Sequence, residues 1–144
     1  MARIDKGGYD VESGYRKLLG FRVVEWDHDH AVVELDIEAQ HLNRSNIVHG
    51  GVLASLIDAA CAFPGLYCDT PGNVRKSVTL SLTTSFTGQA SCGVIRAVGK
   101  RRAGGRRIYF STAEITNDQG EIIAFGEAVN RYLKGSESPN GVPG

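Results

Sequence analysis

The residues best suited to chemistry lie in HLNRSNIVHGGVLASLIDAACAF, His41 to Phe63. From Val52 to Phe63 the run is apolar except for Ser55 and Asp58. Moving an unpaired carboxylate out of water costs several kcal/mol. Asp58 is therefore either a structural acid satisfied by donors or a group that is used. The stretch reads as a helix from Gly50 to about Leu66, opened by His49-Gly50-Gly51 and disturbed at its end by Pro64 and Gly65. The first N–H groups of a helix have no partner within it, and with the helix dipole they favour negative charge. A carbonyl developing into an oxyanion is stabilised at such a place. Gly51, Ser55 and Asp58 are spaced i, i+4, i+7 and share one face. Plainer roles stand beside these. The glycines can serve close helix–sheet packing, and His49 can be a satisfied core histidine.

Gly50 and Asp58 are eight residues apart, about 12 Å along a helix axis. One carbonyl carbon needs its polarising donor and its base or nucleophile each within roughly 3–3.5 Å. An Asp side chain does not close that gap. If both groups serve one reaction, they come from two antiparallel copies of the helix. That requires a two-fold dimer with two equivalent sites at the interface. The inference holds only if Asp58 is more than structural.

The elements that must position these residues follow from turn signals and periodicity. A short helix is expected at 11–19, ended by Gly20, then a hairpin of strands 21–27 and 30–38 around His28-Asp29. Residues 38–48 and 69–73 read as loops. In SVTLSLTTSF, Val78, Leu80, Leu82, Thr84 and Phe86 alternate with Ser77, Thr79, Ser81, Thr83 and Ser85, the pattern of a half-buried strand. Further strands are expected near 92–100, 106–116 and 122–133, with turns at Gly104-Gly105 and at 117–120. Residues 1–134 read as a single domain and the tail 135–144 as disordered. Two strands, one long apolar helix and four more strands predict an α+β fold, a curved antiparallel sheet wrapped around the helix.

Composition removes other classes. A formal net charge of zero leaves no basic footprint for nucleic acid. No run of 18 apolar residues suggests a membrane span, and MARIDKGGYD lacks the apolar core of a signal peptide. Cys61, Cys68 and Cys92, odd in number and without CxxC spacing, read as reduced thiols of a cytoplasmic protein, neither a disulfide frame nor a zinc site. Asp27-His28-Asp29-His30 has metal-binding residue types, but in so tight a turn they read as exposed hairpin residues, and no metal is expected. Lys100, Arg101, Arg102, Arg106 and Arg107 flank a glycine turn, where they either grip phosphates or decorate a solvated tip. Trp26, Phe63 and Tyr67 read as core or pocket wall.

NRSNIVHGGVLASLIDAA, Asn43 to Ala60, resembles the signature of hotdog-fold acyl-CoA thioesterases, close to the phenylacetate-pathway (PaaI-type) group. That signature is an Asn, then His-Gly-Gly, then an acid nine residues after the His, here Asn43, His49-Gly50-Gly51 and Asp58. The likeness extends over about residues 11–133. It implies a hotdog fold and hydrolysis of acyl-CoA thioesters with no metal or redox cofactor. It also implies a homodimer with sites across the interface, often paired again into a homotetramer. The Gly50 N–H and Asn43 would hold and polarise the thioester carbonyl, and His49 would shape the loop. Asp58 of the facing subunit would activate water or attack, and Ser77 would orient the water. Gly51, Arg101, Arg102 and Arg106 would meet coenzyme A.

Two positions depart from the family pattern. Asn46 stands where Gly is usual, and Asn is the next best residue for a left-handed conformation. Asp58 stands where some relatives carry Glu. Two other functions fit the same fold. One is a dehydratase or hydratase acting on 3-hydroxyacyl thioesters, whose His/acid pair belongs to a different local motif. The other is a non-catalytic acyl-CoA-binding protein. The acyl group is set by Leu53, Leu56, Phe63, Leu66 and Tyr67 packing across an interface, which sequence does not display.

Overall fold

The computed structural model describes residues 13–144. Helix α1 spans Gly14–Leu19, shorter than the expected 11–19, whose first two residues lie outside the described ones. Strands β1 (Arg22–Asp27) and β2 (His30–Asp36) form the hairpin, and helix α2 spans Gly50–Ala62. A short strand β3 (Asn73–Val74) precedes β4 (Ser77–Phe86), β5 (Val94–Gly104), β6 (Ile108–Thr116), β7 (Ile122–Tyr132) and a last short strand β8 (Val142–Pro143). Six strands make one sheet in the order β1-β2-β5-β6-β7-β4, every neighbouring pair antiparallel. The sheet wraps α2, which packs against β2, β4, β5, β6 and β7. The architecture is the α+β curved sheet around one helix that element order predicts.

Val52, Leu53, Leu56, Ile57, Ala60 and Cys61 of α2 are buried. They share one core with Val33, Leu35, Ile95, Ala97, Ile115 and Ala128 from the sheet. The backbones come close at Gly99 of β5, where any Cβ would overlap the Ala60 carbonyl. Close packing therefore depends on this strand glycine and not on the pair that opens the helix.

α2 ends at Ala62, earlier than Leu66, and continues as a single 3-10 turn, Phe63–Gly65. The last carbonyls of a helix need outside donors, and here the sheet supplies them. Tyr109 donates to the Ala62 carbonyl at 2.7 Å, Trp26 Nε1 to Phe63 at 2.7 Å and Tyr132 to Gly65 at 2.6 Å. The Asp29 N–H takes the Pro64 carbonyl. Four consecutive carbonyls are thus tied to four elements of the sheet or its hairpin turn. The C-terminal end of the helix is fixed and its N-terminal end stays accessible.

Two expectations are corrected. The alternation predicted along β4 does not run its whole length. A bulge at Leu80 shifts the register against β7, so that Thr79 pairs with Asn130 while Leu82 pairs with Ala128 and Phe86 with Ala124. Directly opposed residues share a face. Ser77 and Thr79 therefore face the helix together with Leu82, Thr84 and Phe86. One extra residue flips the parity of everything after it, and periodicity alone gives no warning of it.

The tail is also ordered, contrary to expectation. β8 pairs with β3, and Ser136 is buried. Arg75 donates to the Ser136 and Glu137 carbonyls and lies 4.0 Å over the Tyr132 ring. The Lys76 N–H donates to Ser136 Oγ at 2.8 Å. The polar, glycine-rich composition that suggests disorder instead supplies turns that fold the chain back onto the segment entering β4. Among the described residues no helix is long and apolar enough to cross a membrane.

Candidate active site

The loop before α2 folds on itself. The His49 N–H donates to His41 O and the Asn43 N–H to Ile47 O, and an isolated bridge joins Leu42 to Val48. Asn43 Oδ1 accepts from the Ser45 and Ile47 N–H groups at 2.8 and 3.2 Å. Asn46 adopts φ 58°, the left-handed conformation for which Asn substitutes for Gly. Behind the loop, buried His41 accepts from the Glu38 N–H at Nδ1 and donates from Nε2 to Leu19 O. The satisfied core histidine is therefore His41. Exposed His49 is the N-cap of α2, its Nδ1 accepting from the Gly51 N–H at 2.8 Å.

The first turn is therefore only partly open. The Gly51 donor is spent on His49, and a Cβ at Gly51 would press on the imidazole at 3.0 Å. Among the described residues the Gly50 N–H has no acceptor. The Asn43 carbonyl oxygen is spent on its own loop, which leaves only its amide NH2 for a ligand. The Phe86 ring lies against Gly50, 3.4 Å from where a Cβ would sit, and is 53% exposed. An aromatic wall thus stands beside the open donor.

Two turns along α2, Asp58 is half-buried. Its Oδ1 accepts from Thr79 Oγ1 at 2.7 Å, and Thr79 Oγ1 accepts in turn from Asn130 Nδ2 at 3.2 Å. Asn130 is 1% exposed, and among the described residues its Oδ1 has no partner. Ser55, between Gly51 and Asp58, donates to Gly51 O at 2.8 Å. Its single hydrogen is thereby used, so Tyr15 of α1 donates to Ser55 Oγ at 2.7 Å. Ser55 is not poised as a nucleophile. Nor is Cys61, one turn past Asp58: burial first, then the charge of Asp58, pushes its thiol up to about 12.

Ser77 is hydrogen-bonded to Tyr109. Tyr109 spends its hydrogen on Ala62 O, so Ser77 Oγ donates to Tyr109 OH at 3.0 Å. The hydroxyl that touches the acid is Thr79, one inward position further along β4. Sequence reasoning placed Thr79 on the hydroxyl face but assigned it no role, and nothing in the sequence marks Asn130.

The basic cluster is split. A bulge at Arg102 leaves Arg101 opposite buried Ser111, paired with Asp29 at 3.5 Å, while Arg102 Nε donates to Thr112 Oγ1 at 2.8 Å. Lys100 and Arg102 line a groove of about 740 Å³ on the outer sheet face, shared with Glu114 and Glu127. Arg106 and Arg107 are exposed at the turn. The five cations do not converge on one point within a single chain. His28 and His30 engage separate carboxylates, Asp69 at 2.8 Å and Glu25 at 3.3 Å.

Six antiparallel strands wrapped around one helix make a hotdog fold, and comparison with known proteins gives the family. Residues 45–124 match the Thioesterase superfamily, and the chain belongs to that family. The matched segment holds His49, Gly50, Asp58 and Thr79. Acyl-coenzyme A thioesterase PaaI of Escherichia coli is 29% identical over 121 residues, 83% of each chain. The solved structure of that protein, from the phenylacetic acid degradation operon, superposes with a TM-score of 0.73, covering 84% of this chain and 85% of that one. Mouse acyl-coenzyme A thioesterase 13 is 30% identical over 99 residues, 66% of this chain and 67% of its own. The conserved protein PA5202 of Pseudomonas aeruginosa superposes with a TM-score of 0.74 at 30% identity, covering 85% and 95% of the two chains.

Proposed function

We propose that this thioesterase hydrolyses acyl-CoA thioesters to the free acid and coenzyme A at two sites shared between two chains. The observation that carries the reading is the pairing, on one helix, of an open Gly50 N–H with a half-buried carboxylate eight residues away. The Gly50 N–H polarises the thioester carbonyl, and the developing oxyanion gains both the hydrogen bond and the positive end of the helix dipole. Asp58 of the facing subunit takes the proton of the attacking water as general base, or attacks the carbonyl itself. The Asn43 amide NH2 offers a second donor, and His49 holds the first turn in shape.

A second copy of the chain is supported by β4. It is an edge strand with one side unpaired, and Leu80, Leu82 and Phe86 on it are 50%, 39% and 53% exposed. A bare apolar edge is a template for another strand. Phe110 and Phe125 stand exposed on the outer sheet face, which supports pairing of two dimers through that face. Arg101, Arg102 and Arg106 reach coenzyme A phosphates only as members of such an assembly, since within one chain they diverge. The relatives named acyl-coenzyme A thioesterases support the substrate class.

The test is release of free thiol from a panel of short, medium, long and aromatic acyl-CoAs. Turnover on at least one group is expected. No thiol release across the panel, or double-bond absorbance in its place, contradicts the proposal.

A further inference from the structure

We infer that Thr79 and Asn130 are positioning residues that fix the Asp58 carboxylate for catalysis, an inference that rests on Asp58 being the reacting acid. The hydroxyl of Thr79 has one hydrogen. At 2.7 Å from Asp58 Oδ1 that hydrogen is committed to the carboxylate. A lone pair of Thr79 Oγ1 then receives the Asn130 amide hydrogen at 3.2 Å. The chain of donors has one direction, from β7 through β4 to α2. It anchors one carboxylate oxygen and leaves the other for water or substrate.

Two further features distinguish this from ordinary packing. Asn130 is 1% exposed with its Oδ1 unpartnered among the described residues. A buried polar atom without a partner lowers stability, so Asn130 is not there for stability alone. The bulge at Leu80 sets Thr79 opposite Asn130 and still returns Leu82 and Phe86 to the helix side. Bulges re-aim side chains next to active sites, and this one lets a single edge strand present a polar contact to Asp58 and an aromatic wall to Gly50. Ser77, the hydroxyl nearest the strand start, is occupied with Tyr109. Thr79 is the hydroxyl left for the acid.

The measurement is steady-state thiol release by Thr79→Val, Thr79→Ser, Asn130→Leu and Asp58→Asn, with thermal melting of each. Thr79→Val keeps the shape and removes the donor. Its kcat should fall roughly tenfold to a hundredfold, the scale set by loss of precise placement, with KM changed less than about twofold. Thr79→Ser, which keeps the hydroxyl, should recover most of the rate. Asn130→Leu removes the anchor without touching the carboxylate, so kcat should drop while the melting temperature holds or rises. Wild-type kcat in both Thr79→Val and Asn130→Leu, alongside an inactive Asp58→Asn, overturns the positioning role and leaves the acid's role intact. Full activity in Asp58→Asn removes the underlying assignment instead. If Thr79→Val does not fold, Asn130→Leu decides by the same criterion.

Discussion

At the start of α2 the hydrogen bonds that shape the site are short in sequence: Asn43 to Ser45, Asn43 to Ile47, His49 to Gly51. At Asp58 they are long, 21 residues to Thr79 and a further 51 from Thr79 to Asn130. The donor end is a loop that organises itself and is then capped by its own histidine. The acid end exists only when three elements are docked. The difference teaches that one helix can carry two functional groups of different origin, one set by local backbone geometry and the other by sheet register. Substitutions near Gly50 should therefore act locally, while those near Asp58 should propagate through packing.

The largest expected effect is on chemistry. Asp58→Asn should lower kcat roughly 10²- to 10⁴-fold, the range for loss of a general base, without loss of fold. Gly50→Pro should cost a similar amount by removing the donor alone. Proline is tolerated at the first helical position, and His49 already has the extended conformation, ψ 137°, that a following proline requires. Steady-state kinetics check both.

Gly99→Ala should be the largest change in stability, since the new methyl meets the Ala60 carbonyl close to Asp58. A loss of roughly 1–3 kcal/mol is expected in denaturant unfolding, with kcat falling too. Asn46→Val should cost about 1–2 kcal/mol, because a β-branched residue strains the left-handed conformation. Asn46→Gly should be nearly neutral, which confines that effect to the loop.

The smallest expected effect lies away from both ends. Burial pushes the Glu25 carboxyl up, but hydrogen bonds from His30 and Arg96, with their charges, outweigh it and hold it below its ordinary value. A lowered carboxylate contributes stability that is present above the ordinary value of 4.5 and is lost as pH falls through the lowered one. Glu25→Gln should therefore remove no more than about 1 kcal/mol, only above pH 4.5, and leave kcat unchanged. Melting curves from pH 3 to 7 check it.

The same contrast explains what the sequence discloses. The order of elements, the wrapped helix, His49-Gly50-Gly51 and the carboxylate of Asp58 within an apolar run are local or periodic signals, and the sheet around α2 follows from them. Thr79 is hidden because its role depends on a bulge, and a bulge has no period. Asn130 is hidden because an Asn in a strand reads as a surface residue until its register is known. The tail misleads in the other direction. Its composition is that of disorder, yet the Arg75 and Ser136 contacts order it from 60 residues away.

The shared site between two chains is tested most directly by mixing Gly50→Pro with Asp58→Asn after denaturation and joint refolding. Each parent lacks one half of every site. Random pairing makes half of the dimers mixed, and each mixed dimer regains one of its two sites. The mixture should recover about one quarter of wild-type activity by that two-fold arithmetic. A mixture that contains mixed dimers and stays as inactive as its parents would place both groups in one chain and contradict the two-chain site.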